Sequence, residues 1–265
     1  DLPHGRRGAA RRIATHRTLG SAPLRRGPGR ARYSAGMNPS SDSNFLELLP
    51  AQGDAQQLFI LLHGVGATAD GLLPLARYLQ QQFPQAAFVL PQGFHAFDGG
   101  GDGRQWFSVM GVTEANRPAR VADALSPLLD FIRATQQRLR VGEAATALIG
   151  FSQGSIMALE AIAQADGLAG RVLAFSGRYA SLPAQPPRLT TLHFFHGGAD
   201  PVIPAAHARE AIEHLGAMDG DATLDIAQGV GHEIHPALVE QALLRLTRHV
   251  PKRMWQEALG AAAAR

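Results

Sequence analysis

A mostly parallel, open α/β sheet with helices on both faces is the fold class this chain predicts, and three observations predict it. Short, nearly continuous apolar runs recur from Phe45 onward. Longer segments of helical period separate them. With 265 residues, 45% of them hydrophobic, the chain is long enough for one well-buried core.

In chain order, residues 58–62 (LFILL) read as the first strand, because an unbroken apolar run suits a strand covered on both faces. Residues 72–83 supply a helical crossover, and residues 87–90 (AFVL) a second strand. Val121, Leu125, Leu128 and Ile132 recur at intervals of four, three and four, with Arg120, Asp123, Asp130 and Arg133 on the other side. That spacing predicts an amphipathic helix. Residues 146–149 (TALI) form a strand that runs into a helix over 154–165. Residues 172–175 (VLAF), 192–195 (LHFF) and 223–226 (TLDI) read as further strands. Val239, Ala242, Leu243 and Leu246 mark a late helix, and a fraying helix follows from Lys252. No internal repeat or second domain is evident.

Composition removes several function classes. Without cysteine there is no disulfide scaffold, thiolate zinc site or cysteine nucleophile, and a reducing, cytoplasmic setting is expected. No purely apolar run reaches the length of a membrane span. The net charge of +3 points to an acidic partner only until the charges are located. Residues 1–36 hold nine arginines against one acid, leaving 16 Lys+Arg and 21 Asp+Glu for the rest, so the body is mildly acidic. This Arg-, Gly- and Pro-rich leader has no helical or alternating period and reads as disordered. We expect it to be a non-native extension upstream of Met37, with residues 37–265 forming one domain. As an organellar transit peptide or a nucleic-acid-binding arm, its deletion would instead change location or nucleic-acid retention.

In a doubly wound sheet the ligand site lies beyond the carboxyl ends of the strands, so the loops after the strands hold the candidates. Gly150-Phe151-Ser152-Gln153-Gly154 fits G-x-S-x-G and stands between a strand and a helix. There a serine stands clear of the sheet, and the flanking glycines permit close backbone approach. The amide of Gln153, at the first turn of the helix, faces a developing oxyanion with the positive end of the helix dipole behind it. A serine hydroxyl needs a base, and the base needs an orienting carboxylate. Asp200, in the loop His196-Gly197-Gly198-Ala199-Asp200, and His232, after Gly229-Val230-Gly231, occupy later post-strand loops. The order Ser, Asp, His is that of the α/β-hydrolase fold. His235 precedes Pro236 and the late helix, where helix entry explains it more simply. A second oxyanion donor is expected from the amide of Val65, between Gly64 and Gly66; His63 is read as a buried strand-end histidine bonded to backbone.

Taken together, LLHGVGAT (61–68), GRQWFSV (103–109), GFSQGSIMAL (150–159), HGGADPVIP (196–204) and GVGHEI (229–234) resemble the phospholipase/carboxylesterase branch of the α/β-hydrolases. That branch includes the acyl-protein thioesterases, and the likeness is strongest to a small bacterial carboxylesterase subgroup. It covers about residues 45–250. It implies an α/β-hydrolase fold with minimal or no cap domain, Ser152 as nucleophile, His232 as base and Asp200 as its partner. It also implies an oxyanion hole of the Val65 and Gln153 amides, and an acyl site lined by Trp106 and Phe107. Read from the residues alone, those two aromatics are as often core as pocket. Many thioesterase relatives carry an acid after Trp-Phe where this chain has Ser108, which favours ester over lipidated-protein substrates.

The expected function is therefore a serine carboxylesterase acting on short to medium acyl esters through an acyl-enzyme. Acyl-protein thioesterase or lysophospholipase-type activity is the alternative, and a non-catalytic hydrolase-fold binding module the rival from another class. His232-Glu233-Ile234-His235 is one residue short of the zinc-binding H-E-x-x-H spacing, so no metal is expected, and no cofactor. The expected partner is a small acyl ester or thioester, with no nucleic acid and no membrane span. A homodimer is the assembly entertained, without a heptad to argue it.

Overall fold

The computed structural model describes residues 32–35 and 44–263. In chain order the strands are β1 (Arg32–Ala35), β2 (Asn44–Leu48), β3 (Gln57–Leu62), β4 (Ala86–Pro91), β5 (His95–Ala96), β6 (Arg104–Gln105), β7 (Thr146–Phe151), β8 (Arg171–Phe175), β9 (Thr191–Gly197) and β10 (Ala222–Ala227). The helices are α1 (Leu73–Gln82), α2 (Arg117–Leu139), α3 (Gln153–Gln164), α4 (Ala206–Ala217), α5 (Pro236–Arg248) and α6 (Lys252–Ala263).

Each of the six runs read as strands lies within an observed strand. They join one sheet in the order β1-β2-β4-β3-β7-β8-β9-β10, parallel from β4 to β10, with β1 and β2 antiparallel at one edge. The unbroken hydrophobicity of the parallel strands has a direct cause. Leu58, Ile60 and Leu62 of β3 face a core closed by α2, α3 and α4, while Phe59 and Leu61 face a second core closed by α1 and α5. Residues of a strand alternate sides, so a strand covered on both faces must be apolar throughout.

From β3 the chain winds outward to β4, crosses back to β7 on the other side of β3, and then winds away through β8, β9 and β10. The winding direction thus reverses between β3 and β7. In open α/β sheets the crevice beyond such a reversal is where ligands bind, and the loops after β3 and β7 are those that carry Val65 and Ser152. The long connection 92–116 at this edge holds only the β5–β6 hairpin, so no helical cap roofs it.

Residues 32–35 correct one expectation. They fall within the leader read as disordered, yet they form β1, in register with β2 from Arg32 opposite Glu47 to Ala35 opposite Asn44. Composition could not reveal this, because an edge strand offers open backbone N–H and C=O groups to any extended segment, whatever its side chains. Met37 and the rest of the leader lie outside the described residues, and the reading of them as a non-native extension with them. The sequence reading also left out β2 and α4. The buried face of α4 is Ala208, Ala211 and Leu215, too small in side-chain volume to stand out as an apolar stripe. Among the described residues no helix is long and apolar enough to cross a membrane.

Candidate active site

Ser152 joins β7 to α3 with φ 54° and ψ −117°. A non-glycine residue with positive φ is strained by about 1–3 kcal/mol and persists only where its surroundings over-determine it. Here its amide donates to Phe175 O at 3.0 Å, and its carbonyl accepts from Ser155 N at 2.9 Å and Ile156 N at 3.2 Å. The flanking glycines are sterically required. A Cβ on Gly154 would stand 2.0 Å from Leu62 O, and one on Gly150 would stand 2.4 Å from Ser155 N.

Three expected residues come together at the carboxyl edge of the sheet. His232 Nε2 lies 2.9 Å from Ser152 Oγ, and His232 Nδ1 lies 2.7 Å from Asp200 Oδ2. Because the carboxylate can only accept, Nδ1–H donates to it, which leaves the Nε2 lone pair for the serine hydroxyl. Asp200 Oδ1 accepts from the amides of Val202 and Ile203, both at 2.9 Å. Burial alone would raise the Asp200 pKa, but the hydrogen bonds from His232, Ile203 and Val202 outweigh it and hold the carboxyl below its ordinary value. Ser152 is 7% exposed and the His232 side chain 17%, so the pair remains open to a small molecule from one side.

His196 had no assigned role, and the structure supplies one. It is fully buried, its Nε2 donates to Ile203 O at 2.7 Å and it lies 3.5 Å from Asp200 Oδ2, so it props the loop that carries the carboxylate. Burial keeps its pKa below the ordinary histidine value, against the pull of the Ile203 carbonyl and Asp200. His63 is the backbone-bonded strand-end histidine of the sequence reading: Nδ1 donates to Gly64 O at 2.7 Å and Nε2 accepts from Gly93 N at 2.8 Å. His235 caps α5, accepting from Ala237 N.

The loop after β3 rests on Ser152, since a Cβ on Gly64 would stand 3.3 Å from Ser152 Cβ. Among the described residues, the amides of Val65 and Gln153 donate to no other protein atom. Gln153 opens α3 directly after Ser152, and a helix N-terminus favours negative charge.

Residues 44–250 match the family model described as Phospholipase/Carboxylesterase. The chain belongs to this family. A relative named Esterase YpfH, from Escherichia coli (strain K12), is 47% identical over 205 residues, covering 77% of this chain and 88% of its own length. Acyl-protein thioesterase 1 of Saccharomyces cerevisiae (strain ATCC 204508 / S288c) is 30% identical over 166 residues, 57% of this chain and 73% of its own. The crystal structure of esterase PE8 superposes with a TM-score of 0.71 at 29% identity, over 77% of this chain and 97% of that one. This member of the phospholipase/carboxylesterase family is an α/β-hydrolase and an ester hydrolase.

The two aromatics expected beside an acyl group differ in exposure. Trp106 has no exposed surface: its indole N–H donates to His63 O at 2.8 Å and its ring packs edge-on against Phe94. Phe107, at 5% exposed, is nearly as accessible as Ser152. Trp106 is thus sealed in the core, where its indole N–H needs a buried acceptor and finds one just after β3. Ser108 donates to Asp98 Oδ2 at 2.5 Å. A carboxylate thus reaches this point from the hairpin connection, and the hydrogen bonds from Ser108 and Gln105 lower its pKa.

Proposed function

We propose that this esterase works through Ser152, His232 and Asp200 by an acyl-enzyme route on small acyl esters. The observation that carries the reading is the continuous hydrogen-bonded run from Ser152 Oγ through both ring nitrogens of His232 to Asp200, at 2.9 and 2.7 Å. Ser152 Oγ attacks the ester carbonyl while His232 Nε2 takes its proton. The Val65 and Gln153 amides hold the resulting oxyanion. Collapse of the tetrahedral species breaks the carbonyl–alkoxide bond, and the His232 imidazolium returns the proton to the departing alcohol. Water then attacks the acyl-enzyme, His232 accepting its proton and handing it to Ser152 as the acid leaves. Throughout, Asp200 fixes the tautomer and stabilises the imidazolium.

Ser152→Ala should lower kcat by about 10⁴–10⁶ and abolish covalent labelling by a fluorophosphonate probe. A variant that keeps most of its p-nitrophenyl ester hydrolysis would sink the assignment. Acyl-length preference follows from kinetics on p-nitrophenyl esters of increasing chain length, where each methylene discriminates by only about 1–3 kcal/mol. The setting we propose is the cytoplasm, which suits a chain without cysteine.

A further inference from the structure

We infer that the side chain of Gln153 is a positioning residue for the oxyanion hole, acting through the segment Arg104–Phe107, which ties the two donor amides into one rigid unit. The inference rests on the reading of Ser152 as nucleophile and of the Val65 and Gln153 amides as the donors, and it adds a role for a side chain that this reading leaves unused.

The donors belong to different loops, and a hole built from two loops works only if their separation is held. On the Val65 side, the segment grips the residues to either side of the donor. The Trp106 indole donates to His63 O at 2.8 Å, Gly66 N donates to Arg104 O at 2.8 Å, and Arg104 N donates to Ala67 O at 2.9 Å. On the other side, Gln153 Oε1 accepts from Trp106 N at 2.8 Å and Gln153 Nε2 donates to Phe107 O at 2.7 Å. Gln153 is 3% exposed, so these bonds do not compete with water, and both backbone groups would be left unsatisfied without them.

One carboxamide thus reads an N–H and a C=O of consecutive residues. A carboxylate could meet the N–H but would oppose the carbonyl, and an asparagine is one methylene shorter. The packing is equally close on the far side. A Cβ on Gly103 would stand 2.4 Å from Gly66 O, and one on Gly93 would stand 2.7 Å from the Gln105 carbonyl. The segment therefore lies flush against the loop that carries Val65, and the Arg104 side chain locks it by donating to Gly93 O at 2.9 Å and Phe94 O at 3.1 Å.

The test uses full-length Gln153→Met, Gln153→Glu and Trp106→Phe, with active sites counted by fluorophosphonate titration. For Gln153→Met and Gln153→Glu, kcat per titrated site should fall by about 10–100-fold while KM stays within about threefold. The inhibition constant of a trifluoromethyl ketone, which forms an oxyanion on Ser152, should rise by a similar factor. Trp106→Phe keeps an aromatic ring and removes the indole N–H that bonds His63 O; it should lower kcat by about 3–10-fold in the same pattern. Trp106→Phe thus keeps the inference testable even where a Gln153 variant does not fold. A purely structural role would reduce the titrated fraction or Tm and leave kcat per site and the ketone affinity at their wild-type values, and that result overturns the inference. Ser152→Ala in the same assay separates the two readings. If it stays active the nucleophile itself is misassigned, whereas if it is dead and the Gln153 and Trp106 variants are normal per site, only the positioning role fails.

Discussion

Asp200 illustrates how much chemistry one side chain can decide. Its Oδ1 is committed to two backbone amides, so an asparagine there would keep its oxygen on Val202 and Ile203 and turn its NH₂ toward His232 Nδ1. A donor in that place forces the imidazole proton onto Nε2, the atom that must accept from Ser152. We expect Asp200→Asn to lose about 10³–10⁴-fold in kcat with little change in Tm; a loss under about tenfold would contradict the tautomer argument. Gly154 makes a steric counterpart. Its substitution by alanine drives a Cβ into the Leu62 carbonyl at 2.0 Å, so Gly154→Ala should fail to fold or fold without esterase activity, read from far-UV circular dichroism and an ester assay. Both residues were legible in the sequence, as part of GFSQG and HGGAD. The side-chain bonds of Gln153 were not, since their partners lie 46 and 47 positions away.

At the scale of elements, local pattern carried far and then stopped. The spacing of Val121, Leu125, Leu128 and Ile132 marked α2 because its buried stripe is made of large residues. The small-residue stripe of α4 gave no such mark. Near the end of α4, Gly216 has open space where a Cβ would be and no positive φ, so Gly216→Ala should raise stability by about 0.4–1 kcal/mol in a urea titration. The junction to α6 gathers on Asp221, beside the ion pair of Lys252 with Asp219. Asp221 accepts from the Thr191 hydroxyl at 2.7 Å, the Lys252 amide at 3.0 Å and His249 at 3.2 Å. Burial opposes its ionisation, but these donors together pull its pKa below the ordinary value. Asp221→Ala should release α6, seen as faster limited proteolysis near residues 250–252 with esterase activity retained; unchanged cleavage would show that α6 is anchored elsewhere.

The whole molecule stores several histidines in their neutral form, and that sets its response to acid. Burial, followed by the positive charge of Arg171, pushes the His193 pKa from the ordinary 6.5 to about 3. Its Nε2 accepts from Arg171 at 3.0 Å and its Nδ1 donates to Thr223 Oγ1 at 2.8 Å, so a second ring proton would face a guanidinium. His63, His196 and His207 are also lowered, each chiefly by burial. The unfolded chain takes up these protons below about pH 6.5 and the native state does not, so stability is full above that pH and falls as pH drops toward 3. Tm should therefore decline from pH 6.5 to 4.5, and His193→Gln, which keeps one acceptor and one donor, should decline less steeply; equal slopes would exclude His193 as a contributor. By itself the sequence determined the strand-and-helix alternation, the tight turn at Ser152 and the chain order of the polar residues, because periodicity and turn chemistry are properties of neighbours a few positions apart. Tertiary structure alone decided that Trp106 is sealed in the core, that residues 32–35 extend the sheet, and that the Gln153 side chain bonds to Trp106 and Phe107. Those outcomes depend on which distant backbone groups are left unsatisfied once the layers close, and no local spacing records that.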